Sequence, residues 1–575
     1  MAVGPAPRHR GMLRICVKDR DYASFVVVDA NEGTDVDVDI DPVRERLFDG
    51  DEFDLDDGKA LLRRSPARES GPLPGVLVLD GSRTYGKLKD KFLYRCIPDD
   101  RRIPDFVVPY AHKAPGFVKK QTDRYVTFEF VEWSGKHPSG VLRSNIGAVD
   151  ETVAFYEYQL HCRGLSVSLG AFTRATSRAL GRGTHGGLIA DIIAKNAHFE
   201  DRRNTRVISV DPQGSRDFDD AFGFRREGDD SVVSIYIANV SVWLETLGLW
   251  DEFAERTSTI YLPDRKRPML PSVLSDQLCS LMQGETRFAL TVDVVVRAGK
   301  MASWSFHNTI VNVARNYVYE DPCLGEDACY VDTLATVKPL AQGYVDEVHD
   351  SHDLVACLMV IANCLCARRM LEDKVGIYRS VALRATPEIP VSLPPGVRNF
   401  VRVLGSSAGR YTHYRTDMRH EMMDLDSYVH ITSPIRRLVD LLNSVSLQRL
   451  VGIMTFGSDC TAFCERWGGR LERINEASQA SRRVQADCEL LHACENNPAV
   501  LGGTHDGCVI DSTRRHDGMV RHTVYLSRMK MLGIVTLGKA LPEFAMGQFK
   551  VYLFADSAGL RRKIRLEVVS LDTPI

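Results

Sequence analysis

The feature that most constrains this chain is a set of four aspartates within ten residues, placed directly after a β-branched run. Residues 207–210 read Val-Ile-Ser-Val and predict a strand, and Pro212 and Gly214 then predict a turn. The acids are Asp211, at the end of the strand, and Asp217, Asp219 and Asp220 after the turn. Four carboxylates this close repel one another unless a cation or solvent screens their charge. The fold must therefore present this segment either to a bound cation or to water.

If a cation is bound, carboxylate oxygens predict Mg²⁺ or Mn²⁺, because they fit the preferences of neither Zn²⁺ nor copper. Two such ions would activate a water molecule and stabilise the leaving oxygen in phosphodiester hydrolysis. The segment does not predict an EF-hand, since the ligand spacing, the central glycine and the closing glutamate are missing. The alternative is an acidic turn that faces solvent, and the spacing alone leaves both interpretations open.

Length and composition set broader limits. At 575 residues the chain predicts three or four domains. The net charge of −3 neither supports nor excludes an RNA partner, since basic residues can be concentrated in one channel. The fourteen cysteines show no pair of C-x-x-C motifs, so we expect reduced thiols and no structural zinc in an intracellular, cytoplasmic protein, with the nucleus or a virion as the alternative locations. The N-terminus has no apolar secretory segment, and the most apolar stretch, residues 354–367, is too short for a membrane span. We expect a buried helix there and no membrane association.

Four regions differ in their residue pattern. Residues 1–70 are an acid-rich extension without an assignment. Residues 71–198 contain short β-rich segments typical of a cold-shock or OB-like barrel, and residues 498–575 repeat that character. Residues 199–497 form the largest block, β-rich first and helical later. Candidates for a basic, aromatic face on the first barrel are Lys119, Lys120, Arg124, Tyr125 and Phe128. Ordinary positions in a barrel wall are the alternative for each of them.

The acidic segment, Asp-Pro-Gln-Gly-Ser-Arg-Asp-Phe-Asp-Asp-Ala-Phe, resembles the first signature of the catalytic domain in the RNase II/RNase R (RNB) family. Six later segments resemble the same domain in the same order: residues 235–241, 254–263, 268–271, 274–281, 359–363 and 428–437. The resemblance implies an α+β multidomain fold, with a central RNB catalytic domain flanked by OB-like barrels. It also implies a monomeric 3′→5′ exoribonuclease that hydrolyses single-stranded RNA to nucleoside 5′-monophosphates. The implied cofactor is Mg²⁺, with Mn²⁺ as a substitute and two ions present when substrate is bound.

The resemblance implies roles for individual residues. Asp211, Asp217 and Asp220 would coordinate metal, and Asp219, in the same metal-binding set, would be the carboxylate most critical for the chemical step. Arg436 matches the family arginine near the scissile phosphate, where a guanidinium stabilises charge that develops in the transition state.

Tyr261 matches a family ring that packs against RNA. Tyr319 aligns with the tyrosine near the terminal nucleotide, and Tyr317 competes for that role. Each of these tyrosines could instead belong to the core. Further candidates for RNA binding are Thr432, Ser433 and Arg437. Thr432, Ser433 and Pro434 predict a helix start, whose backbone amides would favour phosphate. We interpret His430 as a structural neighbour of that start.

Several positions depart from the family pattern. Ala356 and Cys357 stand where the family usually has a carboxylate pair linked to the ribose 2′-hydroxyl, and Asp353 is the nearest acid. The other departures are Asn239, Leu438, Ser444 and Val445. We interpret the combination as a divergent branch, of the kind that a large DNA virus could carry. Two alternatives to the exoribonuclease follow: a non-catalytic RNA-binding scaffold, and a nuclease that accepts single-stranded DNA as well as RNA.

Overall fold

A computed structural model gives the fold of this chain. It describes residues 11–56, 58–69, 71–81, 84–111, 122–181, 183–345, 347–381, 389–405, 409–415, 419–421, 425–515, 517–555 and 562–572. The described chain mixes α-helices with several β-sheets, which confirms the predicted α+β class. It divides into two compact units, one of residues 1–166, 487–503 and 550–567, and the other of residues 167–486, 504–549 and 568–575.

Residues 11–64, for which the sequence offered no assignment, fold into a four-stranded sheet of order β2-β1-β3-β4. Its strands are β1 (Leu13–Val17), β2 (Phe25–Asp29), β3 (Glu52–Asp56) and β4 (Lys59–Arg64). Side chains alternate along β1, so Leu13, Ile15 and Val17 are buried while the residues between them are not. The acid-rich stretch 35–40 lies outside the strands, yet its apolar side chains turn inward and its aspartates stay exposed.

The next sheet closes into a small barrel. Its strands are β5 (Leu73–Leu77), β6 (Lys87–Leu88), β7 (Lys91–Pro98), β8 (Phe106–Tyr110), β9 (Arg124–Glu132) and β10 (Ser139–Ala148). The order is β5-β9-β10-β8-β7-β6, and a further β5–β7 pairing closes the ring, with β8 and β10 parallel. This agrees with the predicted OB-like barrel. Tyr125 and Phe128 are buried in it, so the suggestion that they form an exposed RNA-binding face is wrong, while Lys119 and Lys120 lie outside the described residues.

The central sheet has the order β11-β18-β12-β13-β14-β17, and pairing of β17 with β18 closes it as well. Its strands are β11 (Glu200–Asp201), β12 (Val207–Asp211), β13 (Asp220–Glu227), β14 (Asp230–Ala238), β17 (Thr286–Arg297) and β18 (Lys300–Val318). Between them lies the hairpin of β15 (Ile260–Tyr261) and β16 (Lys266–Arg267). Ile235 and Ile237 enter one hydrophobic core while Tyr236 and Ala238 enter another, so this sheet is covered on both faces. Burial on both faces explains the nearly continuous apolar runs of its strands.

The helices are α1 (Pro66–Glu69), α2 (Thr152–Cys162), α3 (Gly170–Leu180), α4 (His185–Lys195), α5 (Val240–Leu247), α6 (Ala328–Val337), α7 (Ser351–Glu372), α8 (Pro395–Gly405), α9 (Leu438–Leu450), α10 (Ser458–Gly468), α11 (Leu471–Asn496) and α12 (Pro498–Gly502). Short turns of other helix types span Leu274–Leu278, Pro322–Glu326 and Lys338–Leu340. Helix α7 is long and apolar enough to cross a membrane, but 67% of its most apolar window is buried inside the protein. The predicted buried helix is therefore confirmed.

The last strands are β19 (Ile377–Ser380), β20 (Arg410–His413), β21 (Thr504–Arg514), β22 (Val520–Leu526), β23 (Met531–Leu537), β24 (Met546–Ala555) and β25 (Arg562–Leu571). The final five form one sheet of order β23-β22-β21-β24-β25. A five-stranded sheet in this region agrees with the predicted second OB-like domain. The chain's division into units differs from the predicted boundary at residue 198, because α3 and α4 belong to the unit that contains the central sheet.

Candidate active site

One cavity of about 1090 Å³ holds the candidate site. The ten residues to which the family resemblance gives a role in binding metal or RNA all line it, although they are spread from position 211 to position 437. They are Asp211, Asp217, Asp219, Asp220, Tyr261, Tyr319, Thr432, Ser433, Arg436 and Arg437. The structure thus brings the predicted residues to one place, and their individual roles stay predictions.

Two of the aspartates are placed by strand ends. Asp211 is the last residue of β12 and Asp220 the first of β13, and the predicted turn lies between them, with Gly214 at a φ of 83° that favours glycine. The Oδ2 atom of Asp211 is buried and has no hydrogen-bond partner among the described residues. Burial raises the pKa of Asp211 to about 7, and the charge of Asp219 adds to the rise. Burial likewise raises the pKa of Asp220 to about 7, followed by the charge of Asp211. For both carboxyl groups the positive charge of Arg436 opposes the rise in pKa without cancelling it.

Asp219 is fixed by the segment that carries the arginines. Its Oδ1 accepts a hydrogen bond from the backbone N–H of Ile435 at 2.8 Å, and its Oδ2 accepts one from Nε of Arg436 at 3.1 Å. The residue is only 2% exposed, and burial raises its pKa to about 8 against the opposing charge of Arg436. The side chain of Arg436 is 45% exposed, so its guanidinium reaches the cavity.

The predicted helix start at Thr432-Ser433-Pro434 is wrong. Helix α9 begins at Leu438, and the amides ahead of it already have acceptors: Ser433 N–H donates to Oδ1 of Asp440 at 2.8 Å. Ser433 Oγ in turn accepts from Nη2 of Arg436 at 3.1 Å and from Nη2 of Arg437 at 3.0 Å. Ser433 therefore orients the two guanidiniums, and a phosphate would meet arginine side chains rather than helix amides.

Asp217 has partners that the sequence did not indicate. Lys266 Nζ donates to its Oδ1 at 2.8 Å and to Oδ1 of Asp276 at 2.9 Å. The hydroxyl of Tyr261 donates to its Oδ2 at 3.1 Å. Lys266 and Asp276 also line the cavity, and the only sequence signal for Lys266 is that it lies in a basic run, with Arg265 and Arg267.

The two competing tyrosines are separated by the structure. Tyr317 is buried and its hydroxyl donates to Oδ2 of Asp327 at 2.8 Å, whereas Tyr319 lines the cavity and stacks on His352 with ring centroids 3.7 Å apart. Tyr261 is 41% exposed. His430 lines the cavity, and Nδ1 of its ring lies 2.8 Å from the hydroxyl of Tyr411, which fits the structural role predicted for it.

The two positions where the family usually has a carboxylate pair linked to the ribose, 356 and 357, lie in different environments. Ala356 lines the cavity and Cys357 is fully buried. Asp353 also lines the cavity, but its Oδ2 accepts from the backbone N–H of His349 at 2.9 Å, close to the start of α7. Thus one carboxylate remains on this wall, although not at the positions where the family usually has its pair.

The donor set fits a divalent cation in chemistry, since hard oxygens surround the cavity and the Oδ2 atom of Asp211 is unsatisfied. Over the described residues, no three His, Cys, Asp or Glu side chains converge into a ready metal site. Among the four aspartates of residues 211–220, Asp217 is hydrogen-bonded to Lys266 and Asp219 to Arg436. Asp211 and Asp220 are therefore the two that are left to hold a cation. Mg²⁺ is commonly bound by only one or two carboxylates, with water and phosphate as its other ligands.

A family model described as "RNB domain" matches residues 199–322, the region that contains the four aspartates. This chain carries an RNB domain. Among RNB relatives it is similar to the mouse (Mus musculus) exosome complex exonuclease RRP44, with 23% identity over 521 residues, covering 76% of this chain and 52% of that protein. The chain spans about half the length of this relative.

Three solved structures, of two proteins, show the same fold. Mycoplasma genitalium RNase R, both in its apo form and in complex with ribose-methylated single-stranded RNA, matches with a TM-score of 0.68 at 16% identity, covering 97% of this chain and 100% of that one. Yeast Ssd1, described as a pseudonuclease, matches with a TM-score of 0.55 at 12% identity, covering 94% of this chain and 81% of its own. The RNB fold with its flanking barrels is therefore present, and its presence alone does not decide activity.

Proposed function

We propose that this RNB-family chain is a Mg²⁺-dependent 3′→5′ exoribonuclease that hydrolyses single-stranded RNA to nucleoside 5′-monophosphates. The observation that carries the proposal is the cavity itself, in which Asp211, Asp219 and Asp220 face Arg436. A scaffold has no need to keep desolvated carboxylates together, because their mutual repulsion costs stability. The named exonuclease relative supports the same activity.

The residues divide the work. Asp211 and Asp220 would hold the divalent ion, which when bound supplies an activated water and charge neutralisation at the phosphate. Asp219 orients Arg436, whose guanidinium is placed to stabilise charge on the phosphate as the P–O bond breaks. Tyr319 and Tyr261 offer ring faces to the terminal bases without reading their sequence.

We also propose an intracellular site of action. None of the fourteen cysteines, all of which lie in the described part of the chain, forms a disulfide. Most are buried, as expected for thiols that serve as small apolar side chains in a reducing compartment.

The second candidate is a non-catalytic RNA-binding scaffold, which the hydrogen bonds of Asp217 to Lys266 and Tyr261 favour. A third outcome, action on DNA as well as RNA, follows from Ala356 in place of a carboxylate on the cavity wall.

One assay separates the three. RNA and DNA oligomers, 5′-labelled and with either a free or a blocked 3′ end, are incubated with Mg²⁺ and wild type or Asp219→Asn protein. We expect a ladder from free 3′ ends of RNA only, lost in Asp219→Asn. A ladder from DNA as well would show that the enzyme does not discriminate between RNA and DNA. Intact oligomers with both Mg²⁺ and Mn²⁺, together with retained RNA binding, would establish the scaffold instead.

A further inference from the structure

The cavity contains a cation of its own. Lys266 Nζ lies 2.8 Å from Oδ1 of Asp217 and 2.9 Å from Oδ1 of Asp276, and its side chain is only 23% exposed. Lys266 is delivered by the short β15–β16 hairpin, which also carries Tyr261 on its other strand. An ammonium that is mostly removed from water and bonded to two carboxylates is a fixed charge of the site, because leaving either acid unpaired would be costly.

Both oxygens of Asp217 accept a hydrogen bond from a protein side chain. Lys266 holds its Oδ1, and the Tyr261 hydroxyl donates to its Oδ2 at 3.1 Å. A carboxylate with both oxygens engaged in this way differs from Asp211, whose Oδ2 has no partner among the described residues. The four acids that look equivalent in the sequence therefore fall into different classes.

The charge balance of the cavity points the same way. Its lining contains six carboxylates, of Asp211, Asp217, Asp219, Asp220, Asp276 and Asp353. It also contains four cationic side chains, of Arg216, Lys266, Arg436 and Arg437. When all six carboxyl groups are ionised, as a bound cation would favour, the excess of two negative charges equals the charge of one divalent ion. Two divalent ions would leave the lining positive until RNA phosphates arrived.

We propose that Lys266 is a resident cation that takes the place of a second divalent ion at Asp217, so that this cavity binds one divalent ion, at Asp211 and Asp220. The proposal rests on the metal dependence in the proposed function and makes Asp217 an anchor for Lys266 and Tyr261. It replaces the sequence-based expectation of two ions and of Asp217 as a ligand. Lys266 is a positioning residue here, since it acts through Asp217 and Asp276.

Binding of Mn²⁺, followed by electron paramagnetic resonance, tests the proposal without relying on turnover. Mn²⁺ is titrated into the full chain alone and with a saturating 2′-O-methylated RNA oligomer. We expect one bound ion per chain in both cases, still one in Asp217→Asn, and its loss in Asp211→Asn. In Lys266→Met a second ion should bind, because Asp217 and Asp276 are left uncompensated. Lys266→Arg keeps the positive charge and should still bind one ion per chain. Arg265→Met, which removes the charge of the exposed neighbouring residue, is the matched control and should also bind one ion.

The double variant Lys266→Met/Asp217→Asn should return to one ion, which excludes a nonspecific effect of the first change, and thermal melts check that each variant folds. Two ions in the wild type, loss of the ion in Asp217→Asn, or no added ion in a folded Lys266→Met would each overturn the proposal. A wild type that binds no Mn²⁺ would overturn it as well. The laddering assay is independent: a wild type that degrades RNA but binds two ions rejects the resident cation and keeps the exoribonuclease.

Discussion

Asn239 and Ser444, two positions that depart from the family pattern, meet at the same side chain. Gln448 Oε1 accepts from Nδ2 of Asn239 at 3.0 Å, and Gln448 Nε2 donates to Oγ of Ser444 at 3.0 Å. Ser241 and Asn308 complete the group, and all five residues are buried. The two departures are thus members of one buried, uncharged hydrogen-bond network, which includes Ser444 and Gln448 of α9.

Replacing the shared partner should destabilise the fold. Gln448→Leu removes the bonds to Asn239, Asn308, Ser241 and Ser444 and leaves buried polar groups short of partners. We expect a loss of about 2–3 kcal/mol in the free energy of unfolding, measured by denaturant titration. Ser446→Ala, on the same helix, should cost less than about 1 kcal/mol, since within the described part of the chain its hydroxyl donates only to the carbonyl of Leu442. Equal effects of the two changes would contradict a cooperative network.

Arg436 should act on turnover more than on binding. Its Nε is held by Asp219 and its Nη2 by Ser433, so the guanidinium is oriented before RNA arrives. Arg436→Ala should lower kcat by about 10²–10³-fold, with a change in RNA affinity of less than about ten-fold. Single-turnover cleavage and fluorescence anisotropy give the two numbers. Equal losses in both would identify Arg436 as a binding residue only. Arg436→Lys keeps the charge and should recover little of kcat if the planar, oriented guanidinium is what matters.

Substitutions at Tyr319 should change RNA affinity, and a substitution at Tyr317 should change stability. Tyr319→Ala removes the ring that stacks on His352 in the cavity and should weaken RNA binding by about 10- to 100-fold. Tyr319→Phe keeps the ring and should bind almost as well as wild type. Tyr317→Phe loses the bond to Asp327, so it should lower the melting temperature and leave RNA affinity unchanged. Weaker RNA binding in Tyr317→Phe would reverse the assignment.

The sequence predicts some of these features and not others, for physical reasons. The strand ending at Asp211 and the turn at Gly214 depend on local preferences, so they are visible in the sequence. Thr432-Ser433-Pro434 predicts a helix start that does not form, because the amides of Ser433 and Ile435 donate to Asp440 and Asp219, and Asp219 is remote in the sequence. Lys266 was missed because a lysine in a basic run usually faces solvent, and nothing local shows that Asp217 and Asp276 enclose it.

His420 should make stability depend on pH. Burial, followed by the charge of Arg379, lowers its pKa from 6.5 to about 4 in the folded chain. Between these values the unfolded chain binds more protons, so stability is fully present above about pH 6.5 and falls as the pH drops toward 4. The loss should reach about 3 kcal/mol. His420→Phe retains an aromatic ring against Tyr428. In this variant the free energy of unfolding, plotted against pH, should fall less steeply between pH 6.5 and 4 than in wild type. His185→Gln, at an exposed histidine, is the control and should leave the pH dependence of stability unchanged. Parallel curves of unfolding free energy against pH for wild type and His420→Phe would show that His420 is not the source of this dependence.

The β6–β7 hairpin should contribute to the binding of long RNA. Tyr85, Leu88 and Phe92 are exposed on it, interleaved with three exposed lysines, and Lys87 Nζ lies 5.8 Å from the centroid of the Phe92 ring. Exposed rings beside lysines are the combination that binds single strands without sequence preference. Tyr85→Ala/Phe92→Ala should weaken the binding of a long oligomer by about ten-fold or more, with little effect on an oligomer of a few nucleotides held by the cavity alone.

The lysines of this hairpin should contribute to the salt dependence of RNA affinity. Changing Lys87, Lys89 and Lys91 to Gln should reduce the slope of log affinity against log salt by up to about two for a long single strand. Val153→Ala, an exposed apolar residue on α2, is the matched control and should alter neither affinity nor slope. If the lysine variant keeps the wild-type slope, the hairpin does not contact the phosphates, because every contact that neutralises a phosphate releases counterions and must appear in that slope.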